Sequence, residues 1–319
     1  MGHRTDTGAL TGVLVVAKPA GPTSHDVVAL VRRLSGTRRI GHGGTLDPFA
    51  NGVLPLFLGG ATRLVEYHLA DRKGYRATIC FGAGSTTDDL DGELTPMPIR
   101  ALGADAVASA LASFRGDIQQ RPPAYSAIHV GGRRAYALAR EGTPPELPER
   151  QVTIHGLDLV AWNTDDPARP IAVVDVVCSA GTYVRAIARD LGSALGTGAY
   201  LGALTRTASG PFRLEDAVGL DTVRAAATDG PGGLAGLLLP ADTGLESLPA
   251  IRLSSEEVAE AAMGRFIRPA AGVAAAATGD PIRLLDAEGR IVGIGHLDGR
   301  RIAPDKMFAA ASLPGSTDA

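Results

Sequence analysis

Residues 38–56, "RRIGHGGTLDPFANGVLPL", constrain this 319-residue chain more than any other stretch. Four glycines and two prolines break up any helix or regular strand. The flanks are nevertheless too apolar for an ordinary surface loop. The segment should therefore run as an extended loop embedded in a domain, carrying one carboxylate, Asp47. Pro48 fixes the chain just after Asp47 and biases it toward an extended backbone, which holds the carboxylate in one orientation. A lone aspartate before proline is more often a turn former. The rest of the chain decides between the two.

Residues 11–17, "TGVLVVA", are strand-like and bounded by Gly12 and Pro19. Apolar Val27, Val28, Leu30, Val31 and Leu34 then recur at helical spacing up to Gly36. "ATRLVEYHL" reads as a short helix. "GYRATICFG" alternates Tyr75, Ala77, Ile79 and Phe81 against Arg76, Thr78 and Cys80, the period of a strand. Helices are expected in "ADAVASALASFRG", "RRAYALAREG" and "GTYVRAIARDLGSALG", and strands over 151–160, over 171–179 and at "AYLGALTRTAS". Strands interleaved with helices, several in hairpin-like succession, predict an α+β fold with a mixed sheet and flanking helices. A composition shift near 225–250 divides a large unit, 1–245, from a small one, 246–312, with short strands "PIRLLDA" and "RIVGIGHL". The tail 313–319 is expected to be disordered.

Hydrophobic residues make up 45% of the chain and charged ones 20%, enough for a sizeable core. No apolar run would span a bilayer and the N-terminus has no signal-peptide pattern, so a soluble cytoplasmic protein is expected. Cys80 and Cys178 are the only cysteines, which argues against a disulfide framework or a cysteine zinc site. Net charge is -3, yet residues 1–80 hold ten Lys/Arg against five Asp/Glu. A polyanion could dock on that part despite the acidic total, and an arginine-rich surface would explain it equally well.

Several chemistries fail on the residues. "GHGGTLDP" lacks the lysine and hydroxyl that end a phosphate-cradling loop, and lacks the third glycine of a dinucleotide fingerprint. No G-x-S-x-G occurs. A paired-carboxylate hydrolase needs a second acid, and nothing in the sequence ties Asp88 or Asp190 to Asp47. The acidic turn "STTDDLDGELTP" would put Thr87 and Pro98 at the first and twelfth positions of a calcium loop, so metal binding is not expected there.

Five stretches carry a resemblance. "VVAKPAGPTSHDVV", "GHGGTLDPFANGVLPL", "KGYRATICFGAGSTTDDLDGE", "QRPPAYSAIHVGGRRAYALAREG" and "CSAGTYVRAIARDLGSALGTGAYLGALTRTASGPF" are similar, in this order from about Leu14 to Phe212, to motifs of the tRNA pseudouridine synthase B (TruB) family. The form they resemble is the stand-alone bacterial, actinobacterial-like one. Residues 251–310 resemble its PUA-like RNA-binding tail more loosely. The resemblance implies a largely antiparallel central sheet and a small β-rich C-terminal domain. It implies isomerisation of the T-arm uridine-55 of tRNA to pseudouridine, by base flipping and aspartate-dependent C-glycoside formation. No metal, redox cofactor, guide RNA or membrane is called for, and a monomer is expected.

By the same resemblance Asp47 is the catalytic carboxylate, whether it attacks the base, attacks the ribose or removes a ribose proton. Arg185 would pair with it and keep it ionised. Tyr75 would stack on the flipped base, His42 would occupy the vacated space, and Leu204 would line the uracil pocket. Tyr183 belongs to the same substrate-binding set. Lys18, Arg38 and Arg39 would contact or steer RNA phosphates. Each has a plainer reading: strand core for Tyr75, core for Leu204, a loop hydrogen bond for His42, a surface helix position for Arg185. His129 stands where the family usually has lysine, and Thr205 where arginine is common. A non-enzymatic RNA-binding or tRNA-folding protein would use the same basic region and tail, but would not need Asp47, Tyr75, Tyr183 and Arg185 together.

Overall fold

A computed structural model describes residues 10–99, 102–126, 128–268 and 277–308. The tail 313–319 lies outside the described residues. The chain opens with β1 (Gly12–Lys18) and α1 (Ser24–Ser35). The Thr23 hydroxyl accepts the Asp26 N–H and the Asp26 carboxylate accepts the Thr23 N–H, a capping box that fixes where α1 begins. Gly36, at φ 67°, ends it in the left-handed region.

β2 (Ile40–His42) and β3 (Asn51–Leu58) pair antiparallel, Ile40 opposite Leu58 and His42 opposite Leu56. The expected extended loop over 38–56 is therefore confined to residues 43–50, the tip of a hairpin. β3 escaped detection because Gly52–Leu58 is buried on both faces, so it shows no alternation. Pro55 removes no bond to β1. In an antiparallel ladder a residue's N and O point to the same side, and the Pro55 carbonyl already accepts Gly43 N–H on the other side, at 3.0 Å.

A 3-10 turn (Gly59–Leu64) and α2 (Val65–Leu69) lead to β4 (Lys73–Phe81), where Ala77, Ile79 and Phe81 point inward as the alternation predicts. Next come the hairpin β5 (Ala83–Ser85) and β6 (Leu94–Pro96), α3 (Ala104–Ala112) and β7 (Gly116–Gln120). A second small hairpin, β8 (His129–Val130) and β9 (Arg133–Arg134), runs into α4 (Ala135–Arg140). β10 (Arg150–Asn163) and β11 (Ile171–Cys178) are long antiparallel partners. α5 (Val184–Ala194), β12 (Ala199–Ser209), β13 (Phe212–Arg213), β14 (Val218–Gly219), α6 (Leu220–Thr228) and α7 (Pro231–Ala235) complete the large unit.

One ten-stranded sheet runs β14-β1-β3-β12-β4-β11-β10-β7, with β2 added on β3 and β13 on β12. All pairings are antiparallel except β1 with β14 and β3 with β12. The α+β reading with a mixed, largely antiparallel sheet holds. α3 and α5 pack over the β4, β10, β11 and β12 part, around Ile79, Phe81, Leu157 and Ile187. α1 and α6 pack over β1 and β3, around Val16, Val31, Leu56 and Val223.

The remainder is a four-stranded sheet, β15 (Ala250–Arg252), β16 (Pro281–Leu285), β17 (Ile291–Asp298) and β18 (Arg301–Met307), with α8 (Ser255–Ala262). It has its own core, Leu253, Ile267, Ile282 and Ile302. Ile291, Ile294 and Phe308 pack instead into a cluster with Val13, Phe57 and Phe212 of the large unit. The small sheet is thus docked, with Lys306 paired to Glu66 and Arg63 donating to the Met307 carbonyl at 2.5 Å. Among the described residues no helix is long and apolar enough to cross a membrane.

Candidate active site

The hairpin tip 43–50 is held by side chains from four elements. Ser24 at the start of α1 donates to Leu46 O (3.1 Å) and accepts Leu46 N–H (2.8 Å). Lys18 at the end of β1 donates to Pro19 O (2.9 Å), Pro48 O (3.3 Å) and Ala50 O (2.7 Å). Arg206 of β12 donates from Nε to Val53 O (2.8 Å), from Nη1 to Thr45 O (3.3 Å) and from Nη2 to Gly44 O (3.0 Å). Lys73 of β4 donates to Gly43 O (3.4 Å) and to the Ser209 hydroxyl (2.9 Å). Backbone carbonyls of an irregular loop need partners wherever water cannot reach. Here cationic side chains supply them, and the loop is fixed along nearly its whole length.

Asp47 projects from this frame toward α5. Arg185 Nη2 lies 3.0 Å from Asp47 Oδ2 and also donates to Tyr125 O at 3.0 Å. Its Nη1 donates to Thr87 O (3.1 Å) and to Asp89 Oδ2 (3.1 Å). Arg185 is 5% exposed, whereas the Asp47 side chain keeps 37% of its surface. The carboxylate is therefore clamped on one side and open on the other. The structure brings together the two residues expected to pair, and adds Asp89.

Burial pushes the Asp47 carboxyl above the ordinary range; Arg185 and Lys18 oppose this, and the like charge of Asp89 adds to it. Desolvation is the larger effect, and the Arg185 guanidinium works against it, in the direction expected of a partner that favours the ionised carboxylate. A carboxylate poised this way is a better base than an exposed one.

Tyr75 lies opposite Arg206 across β4 and β12. Burial raises the phenol pKa, so it stays protonated. Leu204, 8% exposed, shares a core cluster with Leu46 and Ala50, and Tyr75 packs against it. Tyr183 precedes α5. Gln120 Oε1 accepts its N–H (2.8 Å), Gln120 Nε2 donates to its carbonyl (3.1 Å), and Arg150 covers its ring at 4.8 Å. His42 is half-buried and meets His25 edge-to-face at 5.6 Å; its Nδ1 accepts Gly44 N–H at 3.3 Å. Burial pushes its pKa down, with His25 and Arg206 adding to the effect.

One expectation changes. Lys18 is 1% exposed and its ammonium is occupied by three carbonyls, so it is not free to reach a phosphate. Arg38 and Arg39 are exposed at the base of the β2–β3 hairpin. Of the departures, His129 is exposed in β8 opposite Arg134, and Thr205 lies between Asn51 and Arg76 in the sheet. Sequence reasoning missed Asp89, Arg206, Ser24, Gln120 and Arg150. Asp89, Ser24, Gln120 and Arg206 lie inside the motifs that carry the resemblance, but nothing in the sequence singles them out, and Arg150 lies outside those motifs.

The mixed sheet with a small β unit after it, taken with the family match below, makes the chain a pseudouridine synthase. Family profiles described as the N-terminal domain of TruB family pseudouridylate synthase and the C-terminal domain of tRNA pseudouridylate synthase B match residues 32–184 and 185–246. The chain belongs to the TruB family. It is 47% identical to tRNA pseudouridine synthase B of Synechococcus sp. (strain WH7803), over 94% of this chain and 98% of that one. It is 42% identical to the protein of the same name from Corynebacterium aurimucosum, over 94% and 96%. The fold matches a chain of an H/ACA RNP bound to a substrate RNA containing 2'-deoxyuridine, with a TM-score of 0.69, 25% identity, and 94% and 86% coverage. A chain of a Cbf5-Nop10-Gar1 complex matches with a TM-score of 0.67 and 26% identity, over 93% and 84%.

Proposed function

We propose that the protein isomerises uridine-55 in the T-arm of tRNA to pseudouridine. In this reaction the C1′–N1 bond breaks and a C1′–C5 bond forms. The C5 proton leaves and N1 gains one, so nothing is gained or lost overall. Asp47 supplies the carboxylate on which the exchange depends, and Arg185 orients it. The observation that carries the reading is Asp47 held 3.0 Å from a buried arginine while its other side stays open. A protein that only binds RNA has no use for such a carboxylate, because a polyanion is repelled by it.

The target base must leave its stack to reach Asp47. In this reading Tyr75 supports the flipped ring, Leu204 bounds its pocket, Tyr183 lines the approach, and His42 fills the vacated space. Arg38 and Arg39 attract RNA phosphates at the hairpin base. Residues 246–312 serve as the PUA-like RNA-binding part beside a catalytic unit of 1–245. The protein works as a cytoplasmic monomer without a guide RNA.

A T-arm stem-loop with tritium at C5 of the target uridine tests this directly. Native protein should release the tritium, and Asp47→Asn should bind the RNA without releasing it. Absence of release by native protein would overturn the activity. Release by Asp47→Asn at the native rate would overturn the residue assignment alone.

A further inference from the structure

We propose that Arg189 is a positioning residue for this reaction, which together with Asp88 fixes the acceptors that hold Arg185 on Asp47. The proposal rests on the isomerase reading above.

Arg185 and Arg189 are one turn apart on α5, so they leave the helix on the same side. Both reach across to the same two segments. Arg185 bonds Thr87 O, Asp89 and, in the second segment, Tyr125 O. Arg189 bonds Asp88 Oδ2 through Nη1 at 2.9 Å and Arg121 O through Nη2 at 2.8 Å, while its Nε meets Asp190 at 2.8 Å. The two arginines form a double clamp, the deeper one touching Asp47 and the outer one gripping the same strips of chain beyond it.

Asp88 gives the outer clamp its leverage. It is the one non-glycine with a positive φ among the described residues, at 62°. A side-chain residue stays in that region only where its surroundings over-determine it. Here the Asp88 N–H donates to Ser85 O (3.2 Å), its carbonyl accepts Leu201 N–H (3.0 Å), and its carboxylate, 13% exposed, meets Arg189. Its neighbours on either side, Thr87 and Asp89, supply both acceptors of Arg185 Nη1. If the backbone at Asp88 relaxed, the carbonyl and the carboxylate would swing together. Arg185 would then lose its two anchors opposite Asp47. Arg189 prevents this without touching Asp47 or the substrate.

The test uses the full chain as native protein, Arg189→Ala, Asp88→Asn and the double variant. Single-turnover tritium release from the C5-labelled stem-loop is measured beside the affinity for the same RNA. Each single variant should lose about tenfold in rate with affinity within about twofold of native, and the double variant should lose no more than either. A structural role alone would lower rate and affinity together. Asparagine tolerates the left-handed backbone, so Asp88→Asn decides the matter if Arg189→Ala fails to fold. A rate for the variants within about twofold of native, equal losses in rate and affinity, or additive losses in the double variant would each overturn the proposal. Native protein without tritium release would overturn the isomerase reading and take this inference with it. Native release that the variants share overturns this inference alone.

Discussion

Arg185 divides its guanidinium between two carboxylates, with Nη2 3.0 Å from Asp47 and Nη1 3.1 Å from Asp89. The two acids are not equivalent. Asp89 is 4% exposed and also accepts Asp91 N–H at 3.1 Å and a bond from the Thr87 hydroxyl. Asp47 has its other side open. One carboxylate anchors the arginine, and the other is left available for chemistry.

Activity should therefore fall with acid at a higher pH than an ordinary aspartate would allow. In the proposed reaction Asp47 acts ionised, and burial raises its pKa above 3.8, so protonation sets in earlier as pH drops. Arg185→Gln removes the opposing charge and should move this acid limb of the single-turnover rate to still higher pH, with a rate loss of about 100-fold or more. An acid limb at the same pH in both proteins would refute the assignment.

Lys18 gives a stability prediction with a sign. Burial lowers its pKa from 10.5 to about 8, so between these values the unfolded chain binds more protons than the folded one. Stability contributed by Lys18 must then rise as pH climbs through that window. Cys178, raised from 9.0 to about 11 by burial, works in the opposite direction, so the measurement is a difference between two proteins. Lys18→Met should cost about 2 kcal/mol at pH 7 because three carbonyls lose their donor. In urea unfolding, the gap between native and variant should widen from pH 8 to 10.

Gly52→Ala should be among the most damaging single-methyl changes in the chain. Gly52 has φ 116°, and an added Cβ would lie 2.2 Å from the Arg206 carbonyl, where β3 and β12 pair in parallel. We expect a loss of about 2–4 kcal/mol in denaturant unfolding, with tritium release impaired because the hairpin tip shifts. Unchanged stability would mean that the two strands are not in this register.

Arg206→Leu tests whether the loop is held by charge or by packing. Arg206 is 1% exposed and serves the carbonyls of Gly44 and Thr45 in the loop and of Val53 in β3. Leucine fills the space but leaves those oxygens without donors, so we expect a loss of about 3 kcal/mol or more and slow release. Near-native behaviour would show that packing alone suffices.

Much of this architecture was legible in the sequence wherever the signal is local. The Tyr75–Phe81 alternation, the Gly36 stop and the helix after Tyr183 all follow from neighbours in the chain. The parallel pairing of β3 with β12 has no such signature, since it joins distant segments. Asp47 and Arg185 were identified through motif resemblance, and their contact agrees with it. Lys18 was misread because a lysine's partners here are backbone carbonyls, which have no residue identity to recognise. Asp89 was hidden among Asp88 and Asp91, and only the path of the hairpin selects it.

The β3–β12 seam also sets an order of events during synthesis. Asp47 emerges early, while Arg185 and Arg206 are made far later. A half-made chain thus carries the carboxylate with neither the guanidinium that aims it nor the donor that shapes its loop. Until β12 is released and docks beside β3, the growing polypeptide can meet the cell's RNA without altering it.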